Sequence, residues 1–185
     1  MKKIYVLLTK SRTIISKLIS LTTNDKYTHV SIAFNEDLYP MYGFSRKYIH
    51  FPLPANIQIE PLDSGFYKKY NSIPCALYEI EVSDKQFKDA KLMVEQIFNN
   101  KKDYSFNVIG LILCRLGIKF ERKNKFFCSQ FVSKVLTEKS IIKSSKPPSL
   151  IRPADFTTFE ELQCLFEGKL YELNNVLTKN LISTT

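Results

Sequence analysis

The chain has 185 residues, 44% of them hydrophobic and 24% charged, which excludes a disordered, collagen-like or disulfide-stapled protein. Only 5 glycines occur, and no GxGxxG or GxxxxGK(S/T) pattern offers a glycine-rich phosphate cradle. The balance of 27 Lys and Arg against 18 Asp and Glu gives +9, a surface that attracts phosphates, anionic lipid headgroups or acidic polymers.

Ile4 to Leu8 (IYVLL) reads as a buried strand. Ser11 caps a predicted helix whose stripe is Ile14, Ile15, Leu18 and Ile19. Thr28 to Phe34 (THVSIAF) alternates as a strand, with Val30, Ile32 and Phe34 inward and His29, Ser31 and Ala33 outward. After the turn at Asn35-Glu36-Asp37, Leu38 to Ser45 returns as the second strand of a hairpin. Pro52 and Pro54 interrupt the pattern, and Ile57 to Leu62 and Ala76 to Val82 are further strands. Helices follow at Ser83 to Phe98, with Ser83 as the cap, at Asn107 to Leu116 and at Phe127 to Leu136. Pro147-Pro148 marks a rigid loop and Arg152-Pro153-Ala154-Asp155 a helix start. Lys169 to Leu173 is expected as a last strand, with a frayed tail after Leu177. No repeat, low-complexity tract or linker divides the chain, so one domain over 1–185, with its core at about 4–165, is expected. The fold class is α+β, an antiparallel sheet packed against helices.

The chemistry rests on which cysteine and which histidine can act. No CxxC pair occurs among Cys75, Cys114, Cys128 and Cys164, and the only histidines are His29 and His50. A structural metal site has no support in this spacing, and no cofactor is expected. Cys114 lies in VIGLILCRLG and reads as a small buried hydrophobe; Cys164 suits the inner face of a helix. Cys75 enters a strand beside Pro74 without an evident activator. Cys128 differs, because FFCSQFVSKVL places it at the start of an amphipathic helix. The unpaired N–H groups there favour a thiolate and can hold the oxyanion of a tetrahedral intermediate. A cysteine nucleophile also needs an imidazole as base and then acid. His29, at a strand start on the face away from Val30, Ile32 and Phe34, is the candidate; His50, among Tyr48, Ile49, Phe51 and Pro52, has a loop-like setting.

Thr28-His29-Val30-Ser31-Ile32-Ala33, followed much later by Phe127-Cys128-Ser129-Gln130-Phe131-Val132, resembles the permuted branch of the NlpC-like, papain-like superfamily. In that branch the histidine strand precedes the cysteine helix, as in YiiX-like proteins and lecithin retinol acyltransferase. The likeness runs from about Ile4 to Phe156 and includes the Arg152-Pro153-Ala154-Asp155 segment. It implies a permuted papain-like fold and a Cys–His hydrolase or acyl transferase acting on amides or esters. Cys128 matches the nucleophile and His29 the general base. The family's third polar residue lies on the strand after the histidine. That strand reads Leu38-Tyr39-Pro40-Met41-Tyr42-Gly43-Phe44-Ser45 and holds no His, Glu, Asp or Gln, a departure from the pattern. Ser45 or Tyr42 takes the role according to hairpin register, since a one-residue slip exchanges their faces; a backbone carbonyl or a water is the remaining option.

The resemblance further implies a small peptide, an amino-acid amide or a lipid acyl group as substrate. The alternative is a non-catalytic peptide- or lipid-binding module on the same fold, favoured by the missing orienter. The charge suits weak contact with an anionic membrane surface. The densest basic stretch, Lys119 to Lys125, is interrupted by Glu121, and no zinc-finger or RNP-like pattern appears, so no specific nucleic acid is expected as a partner. The absence of a secretion signal and of any apolar run longer than Val108 to Cys114 makes the cytoplasm the expected compartment.

Overall fold

A computed structural model describes residues 1–10, 25–47 and 54–183 of the chain. The helix expected at Ser11 to Ile19, and His50 and Pro52, lie outside the described residues. The strands are β1 (Lys2–Thr9), β2 (His29–Ala33), β3 (Met41–Arg46), β4 (Ala55–Ile59), β5 (Pro74–Val82), β6 (Ser105–Phe106), β7 (Lys125–Phe126) and β8 (Gln163–Lys169). The α-helices are α1 (Gly65–Lys69), α2 (Asp84–Asn99), α3 (Val108–Arg115), α4 (Cys128–Glu138) and α5 (Leu170–Ser183).

Six strands form one antiparallel sheet in the order β4-β3-β2-β1-β5-β8, and β6 and β7 make a short parallel pair. The protein is therefore α+β. The period-2 alternation of β1 divides the molecule, because it buries both faces of the strand. Ile4, Val6 and Leu8 face a large core shared with Val30, Ile32 and Phe34 of β2, with Ala90, Val94 and Ile97 of α2, and with Phe131, Val132, Val135 and Leu136 of α4. Tyr5 and Leu7 face a second, smaller core with Met41, Tyr67, Cys75, Leu77, Leu170 and Leu173.

The helix ends follow local chemistry. Ser83 accepts from the Gln86 backbone N–H at 3.2 Å, and Gln86 Oε1 accepts from the Ser83 N–H at 3.1 Å. This capping box satisfies two donors that the first turn of α2 leaves without helical partners. Asn107 caps α3 through Oδ1, which accepts from the Gly110 N–H at 3.0 Å.

Several expectations need correction. Lys169 to Leu173 is not a strand: β8 ends at Lys169 and α5 begins at Leu170. Lys169 N–H donates to Glu172 Oε2 at 2.8 Å, which fixes the turn into the helix, and Leu170 and Leu173 dock in the second core. Cys164 lies on exposed β8 rather than on a buried helical face. Arg152-Pro153-Ala154-Asp155 opens a 3₁₀ segment, Pro153–Thr158, rather than an α-helix. Ser83 as a cap, Cys114 as a buried residue and the Cys128 helix start agree with the structure. Among the described residues, no helix is long and apolar enough to cross a membrane.

Candidate functional site

Cys128 is the first residue of α4 and 6% exposed. Phe127 before it is extended and contributes no side-chain cap, and the first helical bond runs from the Phe131 N–H to the Phe127 carbonyl at 3.0 Å. The N–H groups of Cys128, Ser129 and Gln130 therefore have no helical acceptor and lie at the positive end of the helix dipole. The fully buried Ser129 hydroxyl beside them has no hydrogen-bond partner among the described residues.

His29 opens β2, opposite Thr9 of the central strand β1. Its imidazole is nearly buried, and the Cys128 thiol lies close enough to favour its charged form. The structure thus brings together two residues a hundred positions apart. Nε2 of the same ring lies 3.0 Å from each carboxylate oxygen of Glu60. With Nε2 engaged, Nδ1 is the nitrogen left for the thiol. The one imidazole thus interacts with both the Glu60 carboxylate and the Cys128 side chain.

Glu60 follows β4 and is held in register by its N–H, which donates to the Met41 carbonyl at 2.8 Å. Its carboxylate accepts from the hydroxyls of Ser31, Ser45 and, at 3.3 Å, Tyr67. Burial works against its charge. The positive imidazole and the hydrogen bonds from His29, Ser31 and Ser45 outweigh that, and hold its pKa below the usual carboxylate value. Burial likewise disfavours the imidazolium. The charge of Glu60 and the hydrogen bonds to Cys128 and Glu60 outweigh it, and His29 lies well above its ordinary 6.5. Burial and the same carboxylate push the Tyr67 hydroxyl up, so it stays a donor to Glu60.

Gly43 makes room for this carboxylate. A Cβ built there would lie 2.7 Å from Glu60 Oε2 and 2.8 Å from its Cδ. The constraint is space, since those atoms already hold hydrogen bonds with His29, Ser31 and Tyr67.

The orienter expected at Ser45 or Tyr42 is thereby corrected. The β2–β3 register pairs Ile32 with Tyr42, which turns Tyr42 into the large core, where its ring meets Phe98 at 5.4 Å between centroids. Ser45, farther along the same strand, acts on the Glu60 carboxylate, whose charged form it favours. The strand after the histidine lacks a carboxylate because the next strand out supplies one. The sequence does hold a signal for this: in Ile57-Gln58-Ile59-Glu60, alternation sends Glu60 to the face opposite Ile57 and Ile59.

The flank of the site is polar and ordered. Arg115, at the end of α3, pairs with Asp25, and Arg152 Nη1 lies 3.7 Å from the same carboxylate. The Pro148 carbonyl accepts from Ser133 Oγ of α4 at 3.4 Å, so the diproline stretch packs on the cysteine helix. Among the described residues, no three His, Cys, Asp or Glu side chains cluster as metal ligands would. No protein-family model and no curated protein matches the chain.

Proposed function

We propose that this protein is a cysteine-dependent amidase, peptidase or acyl transferase of the permuted NlpC-like, papain-like type. The observation that carries the reading is the single imidazole held between a buried carboxylate and a thiol at an uncapped helix start. An imidazolium beside sulfur, together with free helix amides, is the setting in which a cysteine acts as thiolate. The sulfur attacks the substrate carbonyl, and the oxyanion accepts hydrogen bonds from the amides at the start of α4. His29 then gives its proton to the departing amine or alcohol as the C–N or C–O bond breaks. The product is a thioester on Cys128. Water or a second nucleophile, deprotonated by His29, attacks it and expels the thiolate.

Glu60 keeps the ring in one orientation and stabilises its positive form throughout. Its place beside the imidazole supports the catalytic reading over a binding module on the same fold. A small peptide, an amino-acid amide or a lipid acyl group is the substrate class this site suits. Four unpaired cysteines accord with a reducing, cytoplasmic setting.

p-Nitrophenyl acetate tests the reading. A burst of nitrophenolate equal to the enzyme concentration is expected, with one acetyl group on Cys128 by mass spectrometry and none in Cys128→Ala. Acetylation spread over other side chains, unaltered by Cys128→Ala, would overturn it.

A further inference from the structure

Ten large hydrophobic side chains are exposed among the described residues, and four of them fall within ten positions: Ile109, Ile112, Leu116 and Ile118, each 50–67% exposed. The rest are scattered, as is ordinary on any surface. These four form one surface for a geometric reason. Ile109, Ile112 and Leu116 are spaced i, i+3, i+7 along α3, which puts them on one helical face. The opposite face, Gly110, Leu111 and Cys114, packs inward against Phe127, the residue before Cys128.

Ile118 joins the outer face through the helix end. Gly117 takes the left-handed conformation at φ 71°. Its N–H bonds the Cys114 carbonyl at 3.1 Å, and the Ile118 N–H bonds the Leu113 carbonyl at 2.9 Å. This pairing is a Schellman motif, which folds the residue after glycine back onto the last turn. A turn built this way holds Ile118 beside α3 rather than leaving it on a loose loop.

Cations flank the stripe along the chain. Before α3 stand the exposed Lys101 and Lys102, and after it the exposed Lys119, Arg122 and Lys123. Asp103 and Glu121 are the acids within 101–125, and Glu121 already faces Lys119 at 3.9 Å and the Ser149 hydroxyl at 3.1 Å. An aliphatic face with exposed cations before and after it in the chain fits a surface that is apolar beneath an anionic layer.

We infer that α3 and its C-terminal turn dock on an anionic lipid surface, with Ile109, Ile112, Leu116 and Ile118 entering the acyl boundary and the flanking Lys and Arg meeting the headgroups. A second copy of the chain fits this face less well, because each copy carries +9 and would bring the same cations against one another. The inner face of α3 touches the start of α4, so docking brings the Cys128 end of the molecule to the lipid. The inference concerns the surface alone and holds whatever reaction Cys128 performs.

Vesicle sedimentation of the full chain decides it. Binding is expected at low salt to phosphatidylcholine vesicles containing about one-third phosphatidylserine, and loss of binding on pure phosphatidylcholine or at high salt. The combined Ile112→Ser and Leu116→Ser variant, both sites exposed, is expected to keep the wild-type circular dichroism and bind at least about tenfold more weakly. Cys128→Ser is expected to bind as wild type, which separates docking from catalysis. Equal sedimentation of the double variant and wild type, or equal binding to neutral and anionic vesicles, would overturn the inference. So would a dimer in sedimentation equilibrium that the double variant converts to monomer.

Discussion

Glu60 does two things with one carboxylate: it orients the imidazole and it keeps that imidazole charged. Both depend on an oxygen position fixed within a fraction of an ångström, and Gly43 is the residue that leaves this position empty. Gly43→Ala puts a methyl group where the carboxylate sits, in a cluster already bonded to His29, Ser31, Ser45 and Tyr67. The expected cost is about 1–3 kcal/mol in stability by overpacking. A functional effect should accompany it. With Glu60 displaced, the ring loses its charged partner, the pKa of His29 falls, and the alkaline limb of the esterase pH profile moves to lower pH. A Gly43→Ala enzyme that is less stable but keeps the wild-type alkaline limb would show that Glu60 does not set the ring's protonation.

At the level of elements, the sheet register decides which residues can meet, and this is where the sequence was legible in part. Alternation in Thr28 to Phe34 separates His29 and Ser31 from the core set, and FFCSQF marks a helix start, so both candidate site residues follow from local pattern. Glu60 does not, because its place beside His29 depends on two successive strand registers, which no local pattern specifies. The last strand was misplaced for a related reason: Lys169-Leu170-Tyr171-Glu172-Leu173 alternates weakly, while burial of Leu170 and Leu173 on one side makes it helical. The α2 cap was readable because Ser83 and Gln86 stand at capping-box spacing. It lies far along the chain from the reacting groups, so it serves as a control. Ser83→Ala is expected to destabilise the fold by about 1 kcal/mol, measured by urea denaturation, without altering the rate at which Cys128 reacts. A change in that rate would mean that the site is sensitive to general loosening of the sheet–helix packing.

At the scale of the whole molecule, the buried pair ties stability to pH. His29 is raised above its ordinary 6.5, so its contribution is complete below that value and is lost as pH rises through the folded pKa. Glu60 is lowered from its ordinary 4.5, so its contribution is complete above that value and is lost as pH falls through its folded pKa. The two are both complete between 4.5 and 6.5. Within this window Glu60→Gln is expected to cost about 3 kcal/mol, as removal of one partner of a buried pair does, with a smaller difference in strong acid or base. A difference from wild type that is flat across pH would mean that the pair is not ionised in the fold. The account as a whole rests on His29 activating the sulfur of Cys128, and alkylation by iodoacetamide, mapped by mass spectrometry from about pH 5 to about pH 9, reads this directly. Burial pushes the Cys75 and Cys114 thiols up to about 12 and about 11, so neither should react in that range. Cys128 is expected to label faster than Cys75 and Cys114 across the range, and His29→Ala to slow it at least about tenfold while leaving the exposed Cys164 unchanged. Labelling of Cys128 as slow as that of the two buried thiols, or unaffected by His29→Ala, would contradict the account.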